Sequence, residues 1–360
     1  MTPADPDLLR TEDGPAGDRG EGEGRRALRG RLSGTGAWPV EDVLEAARTV
    51  LGELGAPPGL PHLVEQPGRG PGAELVGRTA SVLVELPVDL QPSGWRFVDH
   101  PGRDAERARS LRRGDVDALA EAADGYAGEL KVQLAGPWTL AASVRLGRGE
   151  RSSTDPGARR DVVASLAEGV RDHLAEVRRA VPGAELVLQV DEPSLPAVLA
   201  GELRRASGFG RLEPVAAEEV ETGLRVVVDA ARDAGAHHVV VRCATAGAPV
   251  ELLARSGADG VALDLALLDE PAWELVAAAV EDGRTLWAGV DVVADPLRRP
   301  ADLAGDLRRP WARLGLPARA LGDVVLVPAG DLSGLSPSRA RPVLRRLREA
   351  VDVLADDAHA

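Results

Sequence analysis

Glu185-Leu-Val-Leu-Gln-Val-Asp-Glu-Pro193 reads as one buried strand with a defined end. The run is apolar apart from Gln189 and too short for a helix, as expected of a parallel strand covered on both faces. Pro193 stops it, because proline cannot donate to the next rung of a sheet. Just before it, Val162, Leu166, Val170, Leu174 and Val177 recur at helical spacing, and Pro182-Gly183 breaks the chain between the two periods. The unit is therefore helix, turn, strand.

The same alternation continues in both directions. Downstream, the periodicity predicts helix 216–234, strand 237–243, helix 247–256, strand 259–264, helix 269–282, strand 284–290, helix 299–314, strand 323–328 and helix 336–355. Upstream, strands are expected near 30–36 and 129–135. Val40, Val43, Leu44, Ala47, Val50, Leu51 and Leu54 mark a helix that Pro57 and Pro58 end. The segment 80–100 fits helix and strand equally. Seven or eight such units predict a closed (β/α)8 barrel, the TIM-barrel architecture, with an open doubly wound sheet as the alternative. No Gly-x-Gly-x-x-Gly follows the first strand, which argues against a dinucleotide fold.

Composition agrees with one soluble barrel domain over 28–360. Hydrophobic residues are 44% of the 360 and aromatics only 2%, so the core must be aliphatic. Residues 1–27, rich in Gly, Asp, Glu, Pro and Arg, offer nothing to bury and are expected to form a disordered tail. A net charge of −14 disfavours nucleic acid and anionic membranes as partners and leaves small molecules. No protein partner is indicated. With Cys243 as the sole cysteine, no internal disulfide can form, and with no leader-like segment the expected location is the cytoplasm.

In a barrel of this kind the active site lies at the C-terminal strand ends. Asp191 and Glu192 end one strand. Neighbouring side chains face opposite ways, so one is a candidate ligand for an ammonium group and the other a cap for the following helix. Gly136-Pro137-Trp138 ends another strand, where Trp138 could wall a ligand or simply pack in a turn. Gly34-Thr-Gly-Ala-Trp-Pro39 could present backbone N–H groups to a carboxylate. Asp264, and Asp331 in Pro328-Ala-Gly-Asp-Leu332, each put one acid at a strand end. His237, His238 and Cys243 invite a zinc reading, but His238 and Cys243 face opposite ways and His237 lies about 20 Å from Cys243 along the strand. The histidines belong at the strand's start, and Cys243 serves as a small buried hydrophobe.

In order, Leu86-Pro-Val-Asp-Leu-Gln-Pro-Ser-Gly-Trp95, Lys131-Val-Gln-Leu-Ala-Gly-Pro-Trp-Thr139, Gln189-Val-Asp-Glu-Pro-Ser194 and Ala206-Ser-Gly-Phe-Gly210 resemble the cobalamin-independent methionine synthase family, in its short single-barrel actinobacterial branch. The resemblance covers about residues 29–355. It implies methyl transfer from 5-methyltetrahydrofolate to the homocysteine thiol, in methionine biosynthesis, with a zinc ion that deprotonates the thiol. It also implies that Asp191 holds the amino group, that Gly36 lies where the amino-acid carboxylate binds, and that Glu65 is a second substrate-binding acid. The metal positions depart from the family. Its His-x-Cys falls on Arg242 and Ala244, its acid on Asp264, its last Cys on Gly330, and its acid–base histidine on Ala294. Arg242 cannot ligate a metal and would neutralise Asp264 instead. The expected substrate-binding set is therefore Asp191, Glu65, Gly36, Trp138 and Arg242, with no zinc and no other cofactor. Three readings follow: the family's S-methyltransferase; a zinc-less, catalytically degenerate relative that binds an amino acid or pterin; and a barrel like uroporphyrinogen decarboxylase, which would need more arginines at the mouth.

Overall fold

A computed structural model describes residues 30–295 and 298–359. The expected tail 1–27 lies outside the described residues, as does the start of the expected domain at 28 and 29.

Ten strands run in chain order: β1 Arg31–Ser33, β2 Gly59–Leu60, β3 Val88–Gln91, β4 Gly94–Phe97, β5 Glu129–Ala135, β6 Glu185–Asp191, β7 His238–Arg242, β8 Gly260–Asp264, β9 Thr285–Val290 and β10 Val325–Pro328. Eight of them form one parallel sheet in the order β2-β1-β10-β9-β8-β7-β6-β5. Its two ends meet. Lys131 N donates to Pro61 O at 2.9 Å and Leu63 N to Lys131 O at 2.8 Å. These bonds join β5 to the chain leaving β2 and leave no open edge, so the fold is the (β/α)8 barrel and not the open sheet.

The elements lie close to the sequence expectations. The segment 162–177 lies inside the helix Pro156–Ala180, and 216–234 becomes Ala217–Asp233. The ambiguous segment 80–100 resolves into an antiparallel hairpin, β3 with β4, outside the barrel. Its turn is closed by Gly94 at φ +111°. The two-residue β2 leaves no periodic signal, yet it supplies the strand that closes the ring.

The core has two parts. Leu60, Val187, Val240, Ala262, Trp287, Val325 and Val327 form a compact apolar cluster inside the barrel. A far larger cluster fills the space between strands and helices. Side chains alternate along each strand, so the inward set that includes Val187 continues upward as Gln189 and Asp191. The barrel therefore changes from apolar to polar towards its C-terminal mouth. No helix among the described residues is long and apolar enough to cross a membrane.

Candidate functional site

The upper barrel holds a polar cluster on β5, β6 and β7. Lys131, the chain's one lysine, is fully buried. Its Nζ donates to Gln189 Oε1 at 2.8 Å and Gln133 Oε1 at 3.3 Å. Gln133 Nε2 donates to Leu63 O at 2.6 Å, and Gln189 Nε2 to Thr35 O at 3.0 Å. These bonds tie β5 and β6 to the loop after β1. Burial lowers the Lys131 pKa to about 7 against the pull of Asp191 and Glu65.

Asp191 ends β6 on the inner face. Both its oxygens accept from Gln189 Nε2 at 3.0 Å, and Oδ1 accepts from Arg242 Nη1 at 3.2 Å. Asp191 and Arg242 are register partners on β6 and β7, which brings the side chains together. Arg242 was expected to neutralise Asp264; its hydrogen-bonded partner is Asp191, and on Asp264 it acts only through space by its charge. Asp264 Oδ1 instead accepts from Ala266 N at 3.1 Å, capping a short 3-10 turn. Asp191 and Arg242 retain 6% and 17% side-chain exposure, so the pair meets the solvent side of the mouth.

Glu192 points the other way, as alternation requires, and is fully buried. Its oxygens accept from Trp138 N at 2.9 Å, Thr139 N at 2.7 Å and Thr139 Oγ1 at 2.7 Å. It therefore caps Pro137–Ser143, the helix after β5, and not the helix that follows it in sequence. A side chain on Gly136 would meet Glu192 Oε1 at 2.2 Å, so glycine is needed where the cap closes. Burial raises the Glu192 pKa to about 7 despite its three donors.

Trp138 does not line the mouth. Its ring is buried in the helix layer, its Nε1 donates to Val220 O at 3.0 Å, and Gly223 makes room for it. Helical geometry after Pro137 turns the side chain outward. Glu65 is buried near the inner cluster, and burial raises its pKa to about 7. Its Oε1 lies 3.2 Å from Arg78 Nε without hydrogen-bond alignment. Arg78 also pairs with Asp115, which Arg69 holds at 2.7 Å. Gly36, at φ +119°, lies against the Gln133 side chain, and Gly36 O accepts from Glu65 N at 3.0 Å. The structure thus gathers Asp191, Arg242, Gly36 and Glu65 around Gln133, Gln189 and Lys131, and sets Trp138 apart. Sequence reasoning assigned no role to Lys131, Gln133 and Gln189. Their signal was polar residues at period two on otherwise apolar strands.

The residues aligned with the family's metal site do not fit a zinc ion. Of Arg242, Ala244, Asp264 and Gly330, only Asp264 offers a ligand atom, whereas a protein zinc site takes three or four. Cys243 faces the helix layer, near Thr245 Oγ1 at 3.7 Å, and burial raises its thiol pKa to about 11. Among the described residues, the one group of His, Cys, Asp or Glu close enough to share an ion is Glu129, Glu185 and His237. It lies at the opposite end of the barrel, and Arg31 Nη2 already pairs with Glu129 there at 2.5 Å.

A cobalamin-independent methionine synthase from Shewanella sp. W3-18-1, in complex with selenomethionine, matches over 92% of this chain and 98% of its own, with TM-score 0.56 and 13% identity. The likeness is one of fold. A morphinone reductase variant in complex with tetrahydroNAD covers 83% of this chain and 80% of its own at 15% identity, with a TM-score of 0.42. No protein-family profile and no curated protein sequence matches the chain.

Proposed function

We propose that the barrel mouth binds a zwitterionic amino acid between Asp191 and Arg242 and that the chain does not carry out zinc-dependent methyl transfer. The observation that carries this reading is the Asp191–Arg242 pair, 3.2 Å apart at adjacent strand ends on the inner face. A zwitterion presents the complementary charges in the complementary order. Its ammonium group meets Asp191, and its carboxylate meets the guanidinium through charge-assisted hydrogen bonds. Gln189 holds the Asp191 carboxylate in place, so the acid is oriented before a ligand arrives. A carboxylate has about four lone-pair sites, which leaves room for an ammonium beside the amide and guanidinium donors.

The fold likeness to a methionine synthase makes homocysteine and methionine the first ligands to try, with reduced folates as the second class. Methyl transfer needs an activated thiolate, and the residues present do not supply a metal to make one. Binding needs only the charge pair and so survives without it.

Titration calorimetry with homocysteine, methionine and reduced folates tests the reading. Methionine or homocysteine should bind, and Asp191→Asn should weaken binding by about 1.5–3 kcal/mol through loss of a charged hydrogen bond. Elemental analysis of protein purified without chelators should find no stoichiometric zinc. If none of these compounds binds, or if Asp191→Asn leaves affinity unchanged, the reading fails. Formation of methionine from homocysteine and 5-methyltetrahydrofolate would restore the family's activity in its place.

A further inference from the structure

Away from the mouth, the helices Arg103–Ala122 and Pro156–Ala180 flank a groove of about 380 Å³ that is open to solvent on one side. Arg109, Arg112 and Arg113 line it from the first helix. Arg179 lines it from the second, with Asp172, His173 and Glu176, and the turn 81–84 forms the remaining wall. Arg109 and Arg113 are four residues apart, and Asp172, Glu176 and Arg179 follow at i, i+4 and i+7, so each helix turns one face to the same space. Four guanidiniums therefore face two carboxylates. His173 adds no positive charge at neutral pH, because burial lowers its pKa.

The pairing within the groove leaves positive charge over. Arg112 Nη1 is satisfied by Glu176 and lies 3.3 Å from His173 Nδ1. No ion pair or hydrogen bond among the described residues engages the side chains of Arg109, Arg113 or Arg179. At the back, Arg112 Nε and His173 Nε2 are buried without a hydrogen-bond partner. Buried donors left unpaired cost free energy, so this end of the groove carries unmatched hydrogen-bonding capacity beside the unpaired arginines. The surplus stands out on a chain of net charge −14, where most other arginines near this helix layer have a carboxylate or carbonyl partner.

We propose that this groove is a binding site for a compact phosphate-bearing anion. Phosphate oxygens match the planar fork of arginine, and several guanidiniums around a small space suit a multiply charged tetrahedral group better than a single carboxylate. The site is separate from the Asp191–Arg242 mouth, so its ligand does not depend on the reading of that mouth.

Calorimetric titration of the full chain with pyrophosphate at low salt tests this. One site per chain is expected, with affinity falling as sodium chloride is added. Arg113→Gln combined with Arg179→Gln should weaken binding by about tenfold or more, since both lost contacts are charge-assisted. Arg113 and Arg179 are exposed, and an unchanged unfolding midpoint will show that the variant folds. Asp191→Asn should leave pyrophosphate binding as it was. Competition with inorganic phosphate and with glycerol phosphate then tells a free ion from a phosphate ester, either of which supports the site. No saturable binding at millimolar pyrophosphate, or equal binding in the double variant, overturns it.

Discussion

Replacing Glu192 with glutamine perturbs one contact set in a defined way. The native carboxylate accepts from Trp138 N, Thr139 N and Thr139 Oγ1 while fully buried. Glutamine keeps one acceptor oxygen and puts an NH₂ group where the other stood. If that oxygen stays on Thr139, the Trp138 N–H faces another donor with no water to take its place. A buried donor left unsatisfied costs about 1–3 kcal/mol, and loss of a helix cap falls in the same range. We therefore expect a destabilisation of about 2 kcal/mol at pH 8. The gap should depend on pH with a fixed sign. The native carboxyl is pushed from 4.5 to about 7 by burial, so the folded state takes up its proton before the unfolded chain does. The stabilisation this gives is full below pH 4.5 and is lost as pH rises through 7. Glutamine has no such dependence, so the difference from the native protein should widen to about 4 kcal/mol at pH 5. Urea unfolding followed by circular dichroism at pH 5 and pH 8 reads both values. A loss below about 0.5 kcal/mol at both pH values would mean the cap contributes little beyond an ordinary surface contact. A gap that narrows towards acid would mean the three donors outweigh burial and keep the carboxyl ionised.

Three further outcomes follow from the same geometry. Gly136→Ala should cost about 1–3 kcal/mol, because the new methyl would meet Glu192 Oε1 at 2.2 Å, and it should be less than additive with Glu192→Ala. Lys131 is held near pH 7 in the fold and near 10.5 when unfolded, so the unfolded chain binds the extra proton between those values. Native stability should then rise with pH across that window, by about 5 kcal/mol in full, and Lys131→Met should abolish the rise. A native slope that matches the variant's would show that the ammonium stays charged inside the barrel. Cys243, buried with its thiol raised to about 11, should react with an aromatic disulfide reagent at pH 8 only as fast as the protein opens. Immediate stoichiometric labelling of the folded protein would contradict its placement against the helix layer.

The sequence by itself determined the alternation of helices and strands, and so narrowed the fold to a (β/α)8 barrel or an open doubly wound sheet; the closing hydrogen bonds at Lys131 decided for the barrel. The sequence could narrow it that far because hydrophobic period is a local property: 185–191 and 259–264 are legible as strands from their own residues. It also placed Asp191 at a strand end and made it clear that Asp191 and Glu192 must face opposite ways. Tertiary structure decided the partners. Arg242 hydrogen-bonds Asp191 rather than Asp264 because β7 lies beside β6 in a register that puts Asp191 and Arg242 level, and register is set between strands. Glu192 caps the helix that precedes it because β5 and β6 are neighbours and the helix after β5 starts at that level. Trp138 turns into the helix layer because Gly223, 85 positions away, leaves space for its ring. The Lys131–Gln133–Gln189 cluster exists only once β5 and β6 pair. Strand order, register and the closing hydrogen bonds at Lys131 all join residues distant in sequence, and no local period encodes them.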